Sequence, residues 1–136
     1  MILIDANVVL DVFLDRAPFV SASQRLLTRI EQGVVEACLA GHGVTTIHYL
    51  CERYGTAATA QRAVDWLLQH FSIAPVGRAE LLRARGLAWP DFEDAVVAAA
   101  AEAAGCTWIV TRDQRGFAPI PIPPISVEEF LVRAAP

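Results

Sequence analysis

Lysine is missing altogether, so all eleven basic side chains of this 136-residue chain are arginines. That absence removes a P-loop phosphate lysine, a Schiff base, and the lysine that accompanies catalytic aspartates in many phosphatases and receiver domains. Cysteine is scarce: Cys38, Cys51 and Cys106 stand far apart and in odd number, making neither a disulfide framework nor a zinc pattern, and are read as small core residues. No apolar run approaches the roughly 20 residues of a membrane helix. The opening MILIDANVVLDVFLD carries Asp5, Asp11 and Asp15 where a signal peptide needs an unbroken apolar stretch, so a cytoplasmic protein with no membrane partner is expected. An excess of positive charge is lacking too: the formal net charge of −4 argues against a sequence-blind grip on nucleic acid. It leaves carboxylate chemistry open, because an empty cation site counts as negative and a bound divalent ion reverses the local sign.

What is present is the composition of a packed globular protein, 54% hydrophobic against 19% charged, at a length that supports one core. A single domain over residues 1–136 is expected. Ile2 to Ile4 form a short apolar run that delivers Asp5 at its end, as a buried parallel strand does. Helical spacing follows from about Pro18 to Gly33, then a second strand over residues 35–40, closed by Gly41 and Gly43. Two helices over 45–54 and 57–71 part at Gly55, SIAPVG reads as a third strand, and a short helix covers 78–86. Asp91 caps an alanine-rich helix running to Gly105. TWIVT, residues 107–111, is a β-branched strand ending just before Asp113. PIPIPP at 119–124 is neither helix nor central strand and is expected to be an extended loop. Ser126 and Glu129 open a last helix through about Arg133. Strands alternating with helices predict an α/β fold with a parallel sheet covered on both faces.

Ligands of open α/β sheets bind beyond the carboxyl ends of the strands, where Asp5 and Asp113 are expected. Asp91 and Asp94, three apart at a helix start, project from one face of it. Crowded carboxylates raise one another's pKa unless a cation compensates, and hard oxygen donors without His or Cys suit Mg²⁺ or Mn²⁺. Each acid also has a plainer explanation. Asp5 ends a strand, Asp91 caps a helix and Asp113 forms a turn, whereas Asp94 on an Ala-Val stripe needs a partner. Asp11, Asp15, Glu80 and Glu102 are expected to face solvent. His42 and His48 lie near the same mouth and are read as structural. Trp66, Trp89 and Trp108 are read as core, with Trp89 also able to stack a base beside Asp91.

Taken together, LIDANVVLDVFLDR, PDFEDAVVAAAAEAAG, IVTRDQRGF and the proline-containing loop before SVEEFL resemble the PIN domain, and within it the small VapC-like toxin ribonucleases. The resemblance spans nearly the whole chain. It implies a three-layer fold with about five parallel strands, a homodimer, Mg²⁺- or Mn²⁺-dependent endoribonuclease activity with a metal-activated water, and a cognate antitoxin protein as partner. Asp5, Asp94 and Asp113 match the family's metal-binding acids, and Asp91 of the P-D-F-E-D pattern joins them as a catalytic and metal residue. Asn7 is the polar residue that follows the first acid, and Thr111 supports the site by hydrogen bonding. Many members carry a glutamate on the helix after the second strand; here Thr46 stands in its place, and Glu52 lies too far along to reach. Arg112 and Arg115 flank Asp113 and are candidates for RNA phosphates. Thr46 also motivates the alternative of a catalytically degenerate PIN-like domain that binds RNA or protein. A phosphatase with an aspartate nucleophile is disfavoured by the missing lysine.

Overall fold

Alternation at period two turns each short apolar run into a two-faced strand. Ile2 and Ile4 of β1 (Ile2–Ile4) enter one core and Leu3 the other. Leu39 and Cys38 of β2 (Ala37–Ala40) divide in the same way, as do Val110 and Ile109 of β4 (Ile109–Val110). With β3 (Ser72–Ala74) and β5 (Pro124–Ile125) they form one parallel sheet in the order β3-β2-β1-β4-β5. The computed structural model describes residues 1–117 and 121–134.

The larger core packs α1 (Ala6–Phe13), α2 (Val20–Glu31), α3 (Gly41–Tyr54), α4 (Ala57–His70) and α7 (Val127–Arg133) on one face of the sheet. On the other face lies α6 (Phe92–Ala103), whose Val97, Ala98, Ala100 and Ala101 let it approach the strands closely, backed by α5 (Arg78–Leu87). The expected α/β fold with both faces covered is therefore the observed one. All three cysteines are buried, and the Cys38 and Cys106 sulfurs meet 3.3 Å apart as free thiols. Among the described residues, no helix is long and apolar enough to cross a membrane.

Three expectations need correcting, and one helix adds to them. Residues 6–13 form a helix, α1, that the β-branched run Val8-Val9 conceals; packing against α2 and α3 overrides the weak propensity. Gly41 and Gly43 do not sit in a turn after β2 but belong to the first turn of α3. The strand expected over 107–111 is paired only at Ile109 and Val110. The expected 119–124 loop lies partly outside the described residues, and Pro124 pairs in β5 at the sheet edge, where a missing N–H does no harm.

Asp11 also departs from expectation. It is 0% exposed rather than solvated, bracketed by Arg16 Nε at 3.0 Å and Arg112 Nε at 3.1 Å. Neither carboxylate oxygen has an aligned hydrogen-bond partner among the described residues, so charge carries the attraction. The cause is α1 itself, which places Asp11 three residues after buried Val8, on its inner face.

Candidate active site

The sheet order reverses between β1 and β4, because the chain runs outward from β1 on one side and resumes at β4 on the other. A crevice opens at the carboxyl ends of two such diverging strands. Ile4 pairs with Val110, so the next residues, Asp5 and Thr111, stand side by side there. Asp5 ends β1 and is the N-cap residue of α1, 9% exposed. The fully buried Thr111 donates its hydroxyl to Asp5 Oδ2 at 2.8 Å and accepts the Asp113 backbone N–H at 3.1 Å. One hydroxyl thus couples the first acid to the turn carrying the last.

Asp113 follows β4 and caps a single 3-10 turn, Gln114–Gly116, accepting the Gly116 N–H at 3.3 Å. Asp94 stands in the first turn of α6, whose N-cap Asp91 accepts the Asp94 N–H at 3.1 Å. Asp91 therefore fixes the turn that aims Asp94. The two remote acids meet over Gly116: a Cβ there would collide with Asp94 Oδ2 and stand 3.3 Å from Asp113 Oδ2.

This crowding has an electrostatic cost. Burial raises the Asp94 pKa, and Asp91, Glu93, Asp5 and Asp113 raise it further, to about 7. Burial, together with the Glu93 charge, also raises Asp5, against the Thr111 hydrogen bond that lowers it. Without a cation, folded Asp94 keeps a proton that the unfolded chain gives up above its ordinary pKa of 3.8. Stability of the metal-free protein therefore falls as pH rises from about 4 to about 7. Saturating Mn²⁺ is expected to raise the melting temperature more at pH 8 than at pH 5.5, and Asp94→Asn should flatten that difference; equal shifts at both pH values would refute this account.

The remaining candidates divide. Asn7 is exposed, and its carbonyl accepts Arg16 Nη2 at 3.4 Å. Thr46 is exposed on α3 and donates to the His42 carbonyl at 3.3 Å. Arg112 spends its Nε on Asp11 and lays its guanidinium 4.1 Å over the Phe19 ring. Arg115 is exposed in the turn after Asp113. Trp89 meets Phe117 edge-on at 6.0 Å. Outside the site, Asp15 is solvent-facing, Glu80 binds the Gly77 N–H at 2.9 Å, and Glu102 pairs with Arg83 at 3.0 Å.

Sequence reasoning passed over Glu93, which sits between Asp91 and Asp94 and binds His42 Nε2 at 2.7 Å. Its signal in the sequence is its place in the first turn of α6 beside Asp94.

The donor set is hard carboxylate oxygen, suited to Mg²⁺ or Mn²⁺, and Gly116 keeps open the space before Asp94 and Asp113. Among the described residues, no three His, Cys, Asp or Glu side chains already converge as a ready-made metal cluster.

Comparison with known proteins agrees with this architecture. Residues 1–115 match the family described as PIN domain. No curated protein matches the sequence. A toxin-antitoxin complex from Klebsiella pneumoniae contains a chain superposing with a TM-score of 0.70 at 18% identity, over 93% of this chain and 98% of that one. VapBC2 from Rickettsia felis, bound to a DNA fragment from its promoter, gives 0.68 at 13% identity over 93% and 98%. A Pyrobaculum aerophilum protein gives 0.63 at 22% identity over 98% of this chain and 88% of the other. Similarity at these identities establishes the shared fold.

Proposed function

Because the chain belongs to the PIN-domain family, as its match over residues 1–115 shows, we propose that it is a divalent-metal-dependent endoribonuclease, the toxin of a toxin–antitoxin pair. The observation that carries this reading is the junction of Asp94 and Asp113 over Gly116, with Asp5 tied to the Asp113 backbone through Thr111. Asp5, Asp94 and Asp113 would hold Mg²⁺ or Mn²⁺, with Asp91 setting the turn that presents Asp94. When bound, such an ion supplies a Lewis acid for water and for the phosphodiester. The protein's own part is to keep three carboxylates fixed before the ion arrives. Thr111 prevents Asp5 from rotating away, and the capped first turn of α6 restricts Asp94.

Arg115, exposed beside Asp113, is our candidate for an RNA phosphate. Arg112, committed to Asp11 and Phe19, serves chiefly to anchor that loop. The exposed Tyr49, Tyr54 and Leu68 of α3 and α4 support a homodimer face there, and the Klebsiella complex supports an antitoxin partner. Purified protein should cleave RNA with Mn²⁺ or Mg²⁺ and stop on chelation with EDTA; cleavage undiminished by EDTA would overturn the proposal. The alternative, a domain that holds RNA or a protein without cutting, draws on Thr46, an uncharged residue whose hydroxyl turns back to the His42 carbonyl where the family pattern has an acid. It predicts Mn²⁺ uptake no tighter than millimolar in calorimetry.

A further inference from the structure

Thr46 leaves α3 without the acid that the family pattern puts there, yet the structure brings another acid to the same crevice. Glu93 reaches from α6 across to the first turn of α3, where its Oε2 lies 2.7 Å from His42 Nε2. Both residues line the crevice floored by Asp5 and walled by Ala40 and Gly43. A glutamate that is 56% exposed in a first helical turn would ordinarily sweep solvent, and fixing it costs side-chain entropy. Here a short bond between residues 51 apart in sequence holds it at the crevice lined by Asp5 instead. Glu93 and Asp5 line one crevice, and the Glu93 charge raises the pKa of both Asp5 and Asp94. His42 donates through Nε2, and its Nδ1 is buried with no partner among the described residues, so Glu93 is the contact that orients the ring.

We propose that Glu93 is the fourth cation-facing carboxylate of this site, in place of the acid absent at Thr46, and that His42 is the residue that positions it. The proposal rests on the reading that Asp5, Asp94 and Asp113 take a divalent ion. A partner that orients a metal-facing group is worth about 10- to 100-fold in metal affinity. Thr46 is excluded from the role because its hydroxyl is turned back to the His42 carbonyl and it carries no charge.

The test is calorimetric titration of Mn²⁺, without RNA, into the wild type, Glu93→Gln, His42→Ala, His42→Gln, the His42→Ala/Glu93→Gln double variant, and Asp94→Asn as reference. Melting curves without metal verify that each is folded. Glu93→Gln and His42→Ala are each expected to weaken Mn²⁺ binding at least about 10-fold. His42→Gln, which keeps a donor toward Glu93, should recover most of the loss. The double variant should bind no more weakly than Glu93→Gln alone, since His42 acts only through Glu93. Affinity within 2-fold of wild type for Glu93→Gln, while Asp94→Asn abolishes binding, would overturn this inference and leave the metal site standing. Absence of Mn²⁺ uptake by the wild type would overturn both.

Discussion

Asp5→Asn is expected to lower RNA cleavage at least about 1,000-fold, the size of losing roughly 4 kcal/mol of charge stabilisation at the reacting phosphate. The substitution is nearly isosteric, and its amide oxygen still accepts the Thr111 hydroxyl that Asp5 accepts at 2.8 Å. What disappears is a negative charge in a position only 9% exposed, where water cannot substitute for it. Because burial already holds the Asp5 pKa high, removing the charge relieves the metal-free protein and should leave its melting temperature unchanged or raised. Paired measurements of cleavage rate with Mn²⁺ and of thermal melting test this. Activity within 10-fold of wild type would show that Asp5 is not part of the chemistry, and a melting temperature lowered by several degrees would show that it is mainly structural.

Asp11→Ala is expected to cost about 2–4 kcal/mol of stability, or roughly 10 °C in melting temperature for a domain of this size. The carboxylate is 0% exposed between Arg16 and Arg112, and its loss leaves two guanidiniums facing a small cavity. The figure sits below that of a fully enclosed pair because the arginine side chains are 36% and 28% exposed and regain some hydration. Arg112 directly precedes Asp113, so cleavage should fall as well, through a loosened turn. Combining Asp11→Ala with Arg112→Met should cost less than the two changes separately, the signature of a shared contact. A melting temperature within 1 °C of wild type for Asp11→Ala would refute the assignment.

The contrast between these two acids shows what the sequence makes legible. Asp5 was readable because an apolar run ends on it, and a parallel strand presents its last residue at the ligand-binding edge. Asp94 was readable because an acid on an alanine-valine stripe demands a partner. Asp11 was not, because its burial depends on α1, whose β-branched residues look like strand and whose helicity comes from tertiary packing. Glu93 was hidden for a related reason: its partner His42 lies 51 residues away on another helix, and no local pattern announces a pairing across the sheet. The succession of strands and helices and the covering of both sheet faces followed from apolar runs and turn residues, whereas the helical start of α3 at Gly41 did not, since a glycine there reads as a stop.

The hydroxyl of Thr111 bridges positions 106 residues apart, and Thr111 in turn gives its backbone N–H to the Ile125 carbonyl. During synthesis, then, Asp5 leaves the ribosome long before the strand that clamps it. A nascent polypeptide carries its first acid unpaired until β4 and β5 have emerged and zipped onto β1. The first acid therefore gains its clamp only once residue 125 has joined the sheet.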